Sequence, residues 1–283
     1  MTQKELEHIA IQKNILKATI DKDWVLGHLL NAFYSFMINK KNFIFKGGTC
    51  LRKCYFEDYR FSEDLDFTLL DSKFSVDNRF LKMIIEKAKK ISGIRFYISE
   101  IKEQYHNDIQ QGYEVKIKYW GADHKPNTPV PNPDRWQTYV KLDISFSERL
   151  ILNPVNRKIF HCYSDSDSIN ETIPVYPMVE IIAEKVRSLI QRNRPRDIYD
   201  IWYVMNSQEK PDEKAIQTLL FQKAESKGIV ISNINQFVNS LKSAKNKRAW
   251  ENSLKQHIPV NALPDFETVY SQLKLIINNI LNV

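Results

Sequence analysis

The chain has 283 residues, of which 43 % are hydrophobic and 12 % aromatic. That is enough apolar material for one large or two small cored units, and it excludes global disorder. Lys and Arg number 41 against 34 Asp and Glu, a formal charge of +7 that suits a polyanionic partner without requiring one. No apolar run approaches the roughly 20 residues of a membrane helix, and the first 17 residues are too polar for a secretory signal. Three cysteines (Cys50, Cys54, Cys162) with no CxxC or Cys/His zinc spacing agree with a soluble, cytoplasmic chain.

The first 40 residues carry a helical period. Leu26, Leu30, Phe33 and Met37 recur at spacings of four and three on one face, and Asp21 or Asp23 is placed to cap that helix. Trp24, Phe33, Tyr34 and Phe36 on this helix read as core. A short strand is predicted at Asn42–Phe45, a short helix at Thr49–Phe56, and a strand at Asp64–Leu70. A helix over Ser75–Ile91 follows, then strands at Ile94–Ile101, Tyr113–Trp120 and Trp136–Phe146, with the Pro- and Asn-rich stretch 125–134 as a loop. The segment Ser164–Glu171 is polar. Beyond it every strong pattern is helical: Pro177–Gln191, Arg196–Asn206, Asp212–Lys227, Ile234–Gln256 and Pro264–Leu281, with Pro177 and Pro264 in first turns. The expected architecture is α/β (α+β), a small mixed sheet flanked by helices over residues 1–172 and a helical bundle over 173–283.

The chemistry concentrates after the first strand. Gly47 and Gly48 let the backbone bend sharply and approach a ligand, and Thr49 opens a short helix whose free N–H groups suit a phosphate. Asp64 and Asp66 lie two apart on the next strand and therefore face the same way, with Leu65 and Phe67 turned to the core. Two adjacent carboxylates repel. A bridging divalent cation removes that repulsion, and Mg2+ prefers carboxylates plus substrate phosphates. In Tyr139–Ser145 the residues Lys141, Asp143 and Ser145 share a face, so Asp143 reaches the same metal if its strand lies beside Asp64–Leu70. On the helix from Pro177, Glu180, Glu184 and Arg187 share a face, with Ile181 and Lys185 in the next row. Lys185 can bring a compact cation to phosphates.

Lys46-Gly-Gly-Thr, Arg60-Phe-Ser-Glu-Asp-Leu-Asp-Phe67 and Lys141-Leu-Asp143 together resemble the nucleotidyltransferase superfamily. More narrowly, they resemble the AbiEii/AbiGii-like toxins of type IV toxin–antitoxin and abortive-infection systems. Glu180–Arg187 and Arg196–Trp202 are similar to that family's lysine-bearing and aspartate-bearing helical motifs, so the resemblance runs from Phe43 to Tyr203. The chain departs from the shortest family signature in having fourteen residues between Thr49 and Asp64, and Thr where Ser is usual.

The resemblance implies an enzyme that moves a nucleoside monophosphate from an NTP to an acceptor hydroxyl. One or two Mg2+ ions would sit on Asp64, Asp66 and Asp143, and Gly47, Gly48, Thr49 and Lys185 would hold the nucleotide. Asp200 would orient Lys185 or the acceptor, while Asp197 would cap its helix or pair with Arg194 or Arg196. It further implies a tRNA acceptor, blocked translation and an antitoxin partner, with no membrane association. Two other functions fit the same residues: modification of a small molecule or a protein, and non-catalytic nucleotide or RNA binding. The six histidines are scattered without metal spacing and read as incidental. Lys242–Lys255, basic with Trp250, reads as a solvated helix face, with a phosphate-backbone track as the alternative.

Overall fold

A computed structural model describes residues 1–124, 127–192, 194–238 and 244–282. The chain divides into two compact units, Met1–Leu150 with Pro154–Val175, and Ile151–Asn153 with Tyr176–Val283.

The first unit begins with α1 (Gln3–Lys13), α2 (Lys17–Tyr34) and α3 (Met37–Asn42). Thr2 and Glu5 form a capping box at the start of α1, and Asn14 ends it in the left-handed conformation. Helix α2 is a core helix, with fourteen of its eighteen residues buried. Met37 leaves the expected apolar stripe: α2 stops at Tyr34, and Met37 starts a new helix at 66 % exposure.

Asp21 and Asp23 do not cap this helix, contrary to the sequence reading, because α2 starts at Lys17 and both carboxylates lie buried inside it. Asp21 accepts the N–H of Ala122 at 2.7 Å. Asp23 takes Arg52 Nε at 2.5 Å, Lys53 Nζ at 2.7 Å and the Tyr163 hydroxyl at 2.7 Å. Desolvation pushes the Asp23 pKa up, but the charges of Arg52 and Lys53 outweigh it and hold the carboxyl well below its usual range.

The sheet has seven strands: β1 (Phe43–Lys46), β2 (Asp64–Leu69), β3 (Arg95–His106), β4 (Ile109–Trp120), β5 (Tyr139–Ser145), β6 (Val155–Lys158) and β7 (Thr172–Val175), in the order β3-β4-β5-β2-β1-β7-β6. It is mixed. β2 runs parallel to β5 and antiparallel to β1, and β1 runs parallel to β7. β6 and β7 escaped the sequence reading because each has four residues, β6 is exposed throughout and β7 contains Pro174, so neither shows an apolar alternation. One face packs on α2 and α5 (Asn78–Ser92) through a ring cluster. Phe33 stacks on Phe67 at 4.7 Å, Phe43 on Phe80 at 5.8 Å, and Phe45 tilts onto Phe67 at 5.4 Å. Each fully buried Phe contributes about 1.5–3 kcal/mol of transfer free energy, so this cluster fixes which face of β1 and β2 turns inward.

The second unit is helical: α6 (Met178–Gln191), α7 (Pro195–Met205), α8 (Glu213–Glu225), α9 (Asn235–Val238), α10 (Ala244–Leu254) and α11 (Phe266–Leu281). The predicted helix over Ile234–Gln256 is thus described as two pieces, with residues 239–243, Lys242 among them, outside the described residues. Pro177 and Pro264 precede their helices rather than occupying first turns, and Pro195 takes that position in α7. Lys223 of α8 is buried with Nζ 2.7 Å from Glu180 and 2.7 Å from Glu184, and Glu180 also accepts the N–H groups of Ile151 and Leu152. No helix among the described residues is long and apolar enough to cross a membrane.

Burial raises the pKa of Asp21 to about 6 from the 3.8 of a solvated aspartate, with the Ala122 N–H pulling the other way. Between those values the folded chain holds a proton that the unfolded chain lacks, so stability falls as pH rises through this window. Relative to wild type, Asp21→Asn is expected to gain up to about 3 kcal/mol on going from about pH 3.5 to about pH 7.5, read by urea denaturation at both. A pH-independent difference contradicts this.

Candidate active site

Strand β1 ends at Lys46, and the chain bends at Gly47 with φ +83°. A Cβ there would lie 2.2 Å from Asp66 Oδ2, so glycine is required both by the backbone and by the carboxylate packed against it. A Cβ on Gly48 would lie 2.6 Å from Arg60 Nη2. Helix α4 (Gly47–Cys50) therefore starts at the glycines, two residues before the predicted Thr49. The Thr49 hydroxyl donates to the Asp64 carbonyl at 2.5 Å, so the side chain fastens α4 to β2.

The helix runs directly into a π-turn at Leu51–Tyr55, which takes up part of the long spacing before Asp64. A π-turn offsets its side chains from the α-helical track. Here Arg52 and Lys53 both reach the buried Asp23, while Cys50 and Cys54 pack as the small buried residues their spacing suggested.

In β2 the side chains alternate as expected: Leu65 and Phe67 are fully buried and Asp64 and Asp66 stand on the opposite face. β5 does the same, with Leu142 and Ile144 inward and Lys141, Asp143 and Ser145 outward. The parallel β2–β5 register pairs Asp66 with Asp143 and Asp64 with Lys141. The row continues across the sheet, since Lys46 partners Asp66, Glu114 partners Asp143 and Lys102 partners Glu114. Three aspartates thus share one patch of one face, close enough for like charges to destabilise each other.

Lys141 and Glu114 belong to this patch and were given no role from sequence; the signal was the alternation of Glu114 and Lys116 against Val115 and Ile117. Lys141 Nζ lies 3.1 Å from Glu114 and 3.6 Å from Asp143. Burial would lower the Lys141 pKa, but the hydrogen bond to Glu114 and the charges of Asp143 and Asp64 outweigh it, and the net shift is upward. The three aspartates of this patch offer hard oxygen donors, the set that Mg2+ favours.

In the helical unit, Lys185 of α6 is buried between two carboxylates of α7, with Nζ 2.6 Å from Asp200 and 3.0 Å from Asp197. Asp197 also meets Arg192 at 3.2 Å. The expectation that Asp197 caps α7 or pairs with Arg194 or Arg196 is therefore corrected. It faces α6, and Arg196 instead reaches His257 at 2.6 Å.

One further expectation changes, and one alternative loses its support. His28 and His161 are not isolated, because both meet Asp165. Trp250, in the basic stretch 242–255, is buried and donates to the Pro264 carbonyl, so it offers no stacking surface.

Removing one partner of a buried ion pair leaves an uncompensated charge and costs about 3–5 kcal/mol. Lys185→Met is expected to lose stability on that scale in chemical denaturation. Adding Asp197→Asn and Asp200→Asn should recover most of the loss, and an unchanged midpoint for the single variant contradicts the burial described above.

No curated protein matches the chain. Among solved structures, MenT4, a nucleotidyltransferase toxin from Mycobacterium tuberculosis H37Rv, superposes with a TM-score of 0.69 at 16 % identity, covering 100 % of this chain and 90 % of its own. At that identity the likeness shows a shared fold. The family model for the nucleotidyl transferase AbiEii toxin of type IV toxin–antitoxin systems matches residues 28–272, which include every candidate site residue. The chain belongs to the AbiEii family of nucleotidyltransferase toxins.

Proposed function

We propose that this enzyme transfers a nucleoside monophosphate from an NTP to an RNA acceptor, a tRNA end in the first instance, and that an antitoxin encoded with it restrains the resulting block on translation in the cytoplasm. The observation that carries this reading is the β2–β5 register, which sets Asp143 directly opposite Asp66 on the face that also bears Asp64.

The donor set fits Mg2+: oxygen ligands from adjacent strands, with the Asp66 carboxylate against the glycine bend. Mg2+ on Asp64, Asp66 and Asp143 would activate the attacking oxygen and offset charge on the departing pyrophosphate. Gly47 and Gly48 would bring backbone N–H groups to the triphosphate, with Thr49 contributing its own. Lys141 limits repulsion among the carboxylates. Lys185, set by Asp197 and Asp200, is the cation of the helical unit that we assign to nucleotide phosphates. The chain's +7 charge is compatible with an RNA acceptor.

Labelled NTPs incubated with the enzyme and either total tRNA or protein extract should label RNA. Label on protein alone contradicts the acceptor assignment. Asp66→Asn should cut transfer by at least ~1000-fold and abolish growth inhibition while leaving the circular dichroism spectrum unchanged; undiminished toxicity would support the non-catalytic binder. Gly47→Ala adds a methyl at Asp66 Oδ2, and a displacement of that size is expected to lower transfer on the order of 100-fold.

A further inference from the structure

Away from the carboxylate face, α2 and the segment after β6 bring together His28, His161 and Asp165, three donors whose ligand atoms all lie within 4.8 Å of one another. We propose that they form a zinc-binding site, with two imidazole nitrogens and the Asp165 carboxylate from the protein and the remaining coordination left to water.

His28 Nε2 is 3.0 Å from Asp165 Oδ2, and His161 Nε2 is 3.2 Å from Asp165 Oδ1. Ligand bonds of about 2.0–2.1 Å around a tetrahedral zinc separate neighbouring ligand atoms by roughly 3.3 Å, so each imidazole already stands at a ligand-to-ligand distance from the carboxylate, one at each of its two oxygens. Two nitrogens and a carboxylate suit zinc, whereas Mg2+ prefers oxygen throughout.

The surroundings are built for those rings. Both imidazoles are buried, and their Nδ1 atoms find no hydrogen-bond partner, so Nε2 is the engaged nitrogen of each. Gly27, one residue before His28, sits inside α2, where glycine costs roughly 1 kcal/mol relative to alanine. A Cβ at that position would lie 2.2 Å from His161 Nδ1, so the glycine makes room for the ring. Trp24 Nε1 donates to Asp165 Oδ2 at 2.8 Å, the kind of outer hydrogen bond that orients a metal-binding carboxylate. The Met1 nitrogen is 3.0 Å from the same oxygen. An ion here would tie α2 to a segment more than 130 positions later, a long loop whose closure stabilises the folded unit.

The test uses the full-length chain, stripped with chelator and titrated with Zn2+ against a competing indicator in the absence of nucleotide. Wild type should take up one zinc per chain with a rise in melting temperature, and Co2+ in its place should give visible d–d absorption. His161→Gln should weaken zinc binding at least ~100-fold, and Gly27→Ala, which keeps all three donors but crowds the ring, should weaken it as well. Asp66→Asn should bind zinc as wild type does. The proposal fails if wild type takes up no stoichiometric zinc, or if binding is lost in Asp66→Asn and kept in His161→Gln. Wild-type stoichiometry and the Co2+ spectrum decide the matter even where a variant does not fold. Since no nucleotide is present, either result leaves the transfer reading standing on its own tests.

Discussion

Pairing β2 with β5 in parallel sets Asp66 and Asp143 side by side, an arrangement that electrostatics alone would disfavour. Like charges opposite one another across strands cost up to about 1 kcal/mol. What holds them there lies on the other face: Leu65, Phe67, Leu142 and Ile144 are all buried, and a one-residue slip of either strand would turn its apolar set into solvent and its acids into the core. The hydrophobic term is several times the repulsion, so the register is secure and the carboxylate pair is its by-product. Lys141, lodged between Glu114 and Asp143, offsets part of the remaining charge.

The glycine bend depends on the same face. Asp66 Oδ2 occupies the space a side chain at Gly47 would need, and the Thr49 hydroxyl binds the Asp64 carbonyl, so bend and carboxylates hold each other in place. Behind them the π-turn delivers Arg52 and Lys53 to Asp23, where Tyr163 completes a buried charge cluster. Breaking such a cluster by removing one member is costly. Thus the segment between Gly47 and Asp64, longer than in the shortest form of the signature, is anchored at both ends.

Much of this was legible in the sequence because it rests on period-two alternation. Asp64 and Asp66, and Lys141 with Asp143, could be placed on faces from spacing alone, and the family resemblance supplied the neighbour relation between their strands. The helical unit's Lys185 and Asp200 were likewise found by motif. Other features lacked a local signal. Asp21 and Asp23 looked like caps because an acid near a helix start usually is one, and only tertiary partners such as Ala122 and Arg52 reveal their burial. β6 and β7 are too short and too polar or proline-bearing to alternate. Asp197 was misassigned because its partner lies on another helix, twelve residues back, and the His28–His161 pair meets only through the fold.

Crystals soaked with Mn2+ and a non-hydrolysable NTP test the central claim most directly, through the anomalous signal of the metal. The account predicts a peak coordinated by Asp66 and Asp143 beside the Gly47–Gly48 bend. A bound nucleotide whose metal lies elsewhere, with those two carboxylates uncoordinated, would contradict it.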